Sequence, residues 1–144
     1  IALDAVALHP DRFRSLTLLG QGWTSADELG RMAAAAAELA KTDTTALPVA
    51  QREPYRRNDI LAIAALAAAY PALGVDRAQL DRIDVPVLAL LGSEDPRLER
   101  AQRLRAALPA THIRVLPGRT HGSVIDDAGY AAVIRAFLDD VERR

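Results

Sequence analysis

Ile83-Asp84-Val85-Pro86-Val87-Leu88-Ala89-Leu90-Leu91-Gly92-Ser93-Glu94-Asp95-Pro96 is apolar for most of its length and then turns abruptly polar. Val85–Leu91 shows almost no polar–apolar alternation, the pattern of a parallel strand covered by helices on both faces. Pro86 is compatible with this because it lies at the strand's start, where a missing N–H is tolerated. Gly92 ends the strand, Ser93 and Glu94 turn the chain, and Pro96 stiffens the exit. Asp95 is thereby expected at the carboxyl end of a rigid strand.

Downstream, Arg97–Leu108 reads as an amphipathic helix with Leu98, Ala101, Leu104 and Leu108 inward. Ile113–Leu116 is a short alternating strand with Arg114 towards water, which fits a position nearer the sheet edge. Pro117-Gly118-Arg119-Thr120-His121-Gly122 follows it. Parallel strands joined through a helix carry both exit loops on one edge, where open α/β sheets place their sites. Asp95 and His121 are then an acid and a base brought together, like two members of a Ser–Asp–His triad. A second reading of each stays open: Asp95 as a cap of the helix that follows, and His121 as an exposed loop residue.

Upstream, Ile1–Leu8 reads as a helix with Ile1, Ala5 and Leu8 on one face, broken by His9-Pro10-Asp11. Arg14–Gly20 reads as a further buried parallel strand, after which Gly20 and Gly22 turn the chain sharply. Ser25–Lys41 is a helix capped by Ser25, with Leu29, Met32, Ala36 and Leu39 as its apolar stripe. Thr42–Arg57, with Pro48 and Pro54, reads as a loop; its Arg52, Arg56 and Arg57 are balanced by Glu53 and Asp59. Asn58 can cap a helix running to about Tyr70, where Pro71 and Gly74 stop it. The last helix is expected to start near Asp126–Asp127 and to bury Tyr130, Ile134, Phe137, Leu138 and Val141. The expected fold is therefore α/β, with about three parallel strands and flanking helices. Residues 1–22 and 81–144 form its core, and residues 23–80 form a helical cap or lid.

The composition narrows the chemistry. The 144 residues carry a formal net charge of −1, which gives no reason to expect nucleic acid or an anionic membrane as partner. There is no cysteine, which excludes thiolate chemistry, disulfides and zinc–thiolate sites. No apolar run approaches the ~20 residues of a membrane helix, no signal peptide is legible, and a cytoplasmic location is expected. No cofactor and no metal is expected, since His and carboxylates show no ligand spacing. His9 looks like a helix-terminal residue and His112 opens a strand. Gly20-Gln21-Gly22-Trp23 lacks the third glycine of a dinucleotide loop. Trp23 and the neighbouring Gln21 are candidates for lining a substrate pocket, with packing the other reading for Trp23.

These residues resemble the C-terminal half of the α/β-hydrolase family. Ala5–Leu19, with His9-Pro10-Asp11-Arg12 and Ser15-Leu16-Thr17-Leu18, is similar to the link from that family's nucleophile-bearing helix into its sixth strand. Ile83–Asp95 is similar to its seventh strand and acid loop, and Pro117–His121 to its histidine loop. The resemblance implies that Asp95 orients His121, and that His121 serves as general base and acid for a serine acting on a small, largely apolar ester or lactone. It also implies a Gly-x-Ser-x-Gly elbow, which these residues lack. Ser123 is the nearest substitute but lacks the strand–turn–helix setting. The expected partners are thus a small-molecule substrate and the upstream half of the fold, in the same or a separate chain, with a homo-oligomer also open. Alternatives are a non-catalytic binding module, or the same fold with dehalogenase, perhydrolase or C–C hydrolase chemistry.

Overall fold

The computed structural model describes residues 1–48, 52 and 58–143. They divide into two compact units, one of residues 1–24 and 75–143, the other of residues 25–74.

The first unit is built on a parallel sheet in the order β1 (Leu16–Leu19), β2 (Val87–Gly92), β3 (Thr111–Leu116). Leu16 pairs with Val87, and Val87 in turn with Thr111. β2 is the central strand and is buried at every position, as its unbroken apolar run predicts. β1 is buried at alternate positions where the sequence suggested burial on both faces, and in β3 only Thr111 is fully buried.

The helices of this unit are α1 (Ala2–Leu8), α4 (Arg77–Leu80), α5 (Leu98–Ala107) and α6 (Tyr130–Glu142). Leu3, Val6 and Ala7 of α1 join Leu16, Leu18, Val75, Leu80, Ile83, Val87 and Leu104 in the main core. The expected face of α1 is therefore corrected: Ile1 and Leu8 are exposed. Both stripes have helical spacing, and packing against β1 and α4 selects the inner one. Val75 and Leu80, within the stretch read as insertion, belong to this sheet-bearing unit.

The start of α6 also differs from expectation. Asp127 turns back to accept from Gly129 N–H at 2.7 Å, and the helix begins only at Tyr130. None of its apolar residues is fully buried and Leu138 is exposed. A cavity of about 250 Å³ lies between α6 and the sheet, lined by Leu88, His112, Val133 and Phe137. His112 is half-buried there against the Phe137 ring.

The second unit packs α2 (Ala26–Ala40) on α3 (Ile60–Ala67) and on a tight turn at Tyr70–Leu73. Ser25 caps α2 by accepting from Glu28 N–H at 3.2 Å. Asp59, and not Asn58, caps α3, accepting from Ala62 N–H at 3.0 Å. The helix stops at Ala67 rather than Tyr70, because Pro71 cannot donate to a continuing ladder. Arg52 donates to the carbonyls of Leu47 and Thr45. Arg56, Arg57 and Glu53 lie outside the described residues. Among those described, no helix is long and apolar enough to cross a membrane.

Candidate active site

The carboxyl ends of all three strands converge on one acid–base pair. β2 delivers Asp95 through a turn in which Asp95 N–H donates to Gly92 O at 3.2 Å. β3 delivers His121 through a loop tied to the first by Ser93 N–H to Leu116 O and Glu94 N–H to Arg119 O, each at 2.9 Å. Gly118 N–H adds a bond to Ser93 Oγ at 2.8 Å. At Gly92 a side chain would strike the backbone of Arg119, so the two loops can join this closely only because that residue is glycine.

His121 Nδ1 lies 3.0 Å from Asp95 Oδ2. The Asp95 side chain is fully buried, whereas that of His121 is 41% exposed. A charge-assisted bond to a buried carboxylate fixes the ring and its tautomer, while the exposed edge stays reachable by other groups. The other oxygen, Oδ1, accepts from Arg97 N–H at 2.9 Å, at the entry to α5. Asp95 thus has two contacts: one oxygen braces the turn ahead of α5, whose N-cap is Arg97 and not Asp95, and the other holds the histidine.

The histidine loop has its own brace. Arg119 Nε donates to Asp127 Oδ2 at 2.7 Å. The Arg119 hydrogen bond, with help from Gly129 N–H, holds the Asp127 carboxyl below its ordinary range. Thr120 N–H donates to Ser123 Oγ at 3.0 Å and Ser123 N–H to Thr120 Oγ1 at 3.3 Å, so Ser123 closes the turn around His121.

The remaining candidates are placed differently. Gln21 is half-buried just beyond the carboxyl end of β1. Trp23 donates its indole N–H to Val75 O at 2.7 Å and packs on the main core, so its ring is engaged by the scaffold rather than by His121. Among the described residues no group of histidines and carboxylates could hold a metal.

Three contributors were not singled out in the sequence: Gly20, Arg97 and the Arg119–Asp127 pair. Gly20 abuts the imidazole edge. Arg97 Nη1 lies 3.0 Å from His121 Nδ1 and also contacts Nε2. Local sequence carries little signal for them, since each acts across loops that meet only in the fold.

No sequence-family model and no curated protein sequence matches the chain. Solved structures do. A carboxylesterase structure from the thaumarchaeon Nitrososphaera gargenis aligns at TM-score 0.67 and 19% identity, over 98% of this chain and 61% of that one. MenH from S. aureus aligns at 0.65 and 17%, over 90% and 60%. The non-heme bromoperoxidase homologue BpoC of Mycobacterium tuberculosis aligns at 0.63 and 17%, over 97% and 63%. The chain thus spans about three-fifths of the proteins it matches. At these identities the likeness speaks for the fold, and with the parallel three-strand sheet it shows that this chain carries part of an α/β-hydrolase fold.

Proposed function

We propose that this chain supplies the acid and base of a serine hydrolase acting on a small, largely apolar ester or lactone. One observation carries the reading: a buried carboxylate, Asp95, sits 3.0 Å from one nitrogen of a partly exposed imidazole, His121. Serine hydroxyls in the site region have other work. Ser93 accepts from Gly118 N–H, and Ser123 is bonded to Thr120. The nucleophile in this reading comes from a segment outside these 144 residues, on the same or a separate chain.

With that serine in place, His121 Nε2 takes the Oγ proton as Oγ attacks the carbonyl. The proton then goes to the departing alkoxide, leaving an acyl-enzyme. A water molecule, deprotonated by the same nitrogen, hydrolyses the acyl-enzyme and restores the serine. Asp95 keeps Nδ1–H oriented and stabilises the imidazolium in both half-reactions. Gln21 lines the substrate side of the site in this scheme.

The 144-residue chain is expected to hydrolyse p-nitrophenyl acetate no faster than its His121→Ala variant. Joined to a segment bearing a Gly-x-Ser-x-Gly elbow, it should become active, and Asp95→Asn should then lower kcat by roughly 10⁴-fold. Robust His121-dependent turnover by the chain alone would overturn the external nucleophile. Near-normal rates in Asp95→Asn would overturn the triad.

A further inference from the structure

We propose that Arg97 is an anion subsite, which binds a carboxylate carried by the substrate a few bonds from the reacting carbonyl. This deepens the hydrolase reading and rests on it. Arg97 follows the acid loop at the entry to α5 and is locked there by its backbone N–H bond to Asp95 Oδ1, 2.9 Å. From that anchor its guanidinium reaches over the imidazole, with Nη1 3.0 Å from Nδ1 and in contact with Nε2. The side chain is half-exposed, and among the described residues it forms no ion pair with any carboxylate. Arg119 on the facing loop, by contrast, is paired with Asp127.

This placement has two consequences. When Nδ1–H is given to Asp95, Nε2 is the ring's one acceptor. The guanidinium lies beside that nitrogen, off the in-plane direction of its lone pair, and crowds the approach to it. Second, the planar fork carries five N–H donors, so several are left for the bidentate geometry that suits a carboxylate. A carboxylate bound to the fork at about 2.8 Å would sit next to the position of a carbonyl attacked beside Nε2. It would neutralise the guanidinium and draw it away from the ring. The matching substrate is a half-ester or a carboxylate-bearing lactone; a fully neutral ester can still be hydrolysed but lacks the group that Arg97 binds.

The test uses the 144-residue chain with monomethyl succinate and its neutral counterpart dimethyl succinate, followed by ¹H–¹⁵N NMR of the His121 ring and the Arg97 Nε–H. Monomethyl succinate is expected to shift both sets of signals saturably, and dimethyl succinate at equal concentration to leave them in place. Arg97→Gln should weaken the half-ester at least about tenfold, with Arg97→Lys, which keeps the charge without the fork, in between. Equal responses to the two esters, or undiminished affinity in a folded Arg97→Gln or Arg97→Lys chain, would overturn the subsite. A low-field Nδ1 proton that disappears in Asp95→Asn reports the acid–base pair separately. If that proton is present and the half-ester fails to bind, the subsite falls and the hydrolase reading stands. If the half-ester binds through Arg97 and the proton is absent, the hydrolase reading falls and the anion site stands.

Discussion

Gly20 and His121 compete for the same volume: a Cβ on Gly20 would stand 2.7 Å from both Cε1 and Nδ1 of the imidazole and 3.3 Å from Asp95 Oδ2. Gly20 follows β1 with a φ of 60° and donates its N–H to Leu90 O at 2.8 Å. The backbone at the end of β1 is therefore one wall of the acid–base pair, so all three strands contribute to it.

Gly20→Ala should be costly for two separable reasons. The left-handed backbone alone costs an L-residue about 1–2 kcal/mol, and the methyl group displaces the ring. Urea unfolding should show a loss of at least that size, together with loss or displacement of the low-field Nδ1 proton. Gly30→Ala is the control. Gly30 lies inside α2 with nothing within 4 Å of its absent Cβ, so alanine there should stabilise by about 0.5–1 kcal/mol.

Gly92→Ala should be worse than Gly20→Ala. Its Cβ would fall on the carbonyl carbon and oxygen of Arg119, which cannot swing aside as an imidazole can. The acid and histidine loops would have to separate, breaking Glu94 N–H to Arg119 O. The expected signs are a larger drop in the urea midpoint and faster amide exchange at Glu94. A midpoint above that of Gly20→Ala would show that the loops part more cheaply than the imidazole is displaced.

The architecture and the pair were legible because they rest on local pattern. Val85–Leu91 reads as a parallel strand covered on both faces from its unbroken apolar run, and the exit positions of Asp95 and His121 follow from parallel pairing. What escaped depends on contacts between distant segments. Gly20 reads as an ordinary turn residue until β1 is set beside the histidine loop. The choice of Leu3, Val6 and Ala7 over Ile1, Ala5 and Leu8 is made by β1 and α4, since helical period allows both stripes. Asp127 looks like a helix cap because Asp is a common one, yet a partner eight residues back, Arg119, takes one of its oxygens.

Asp95→Asn and Asp95→Ala should separate the two duties of this side chain. Asparagine retains an oxygen that can accept from Arg97 N–H, so the entry to α5 should survive while the charge-assisted bond to His121 is lost. Alanine leaves the Arg97 N–H and the His121 Nδ1–H without their acceptor, at a cost of about 1–3 kcal/mol. The low-field proton should vanish in both variants, and the larger stability loss should appear in alanine alone. Equal stability of the two would mean that Oδ1 contributes nothing to the turn.

The Arg119–Asp127 brace predicts an acid-sensitive increment of stability. The Arg119 hydrogen bond, then the Gly129 N–H, hold the folded carboxyl of Asp127 below its ordinary value, so its ionised form favours the folded chain. That contribution is fully present above the unfolded carboxylate value of about 3.9 and is lost as pH falls through the lower folded value. Asp127→Asn keeps an oxygen for Gly129 N–H but not the charge that Arg119 meets. It should unfold at lower urea than the wild type near neutral pH, and the gap should narrow as pH is taken below about 4. In the same variant the Thr120–Ser123 turn, held by its own two bonds, should keep His121 in its loop. Urea midpoints of both chains across this range check the prediction. A gap that stays constant with pH would assign the brace to hydrogen-bond geometry rather than to charge.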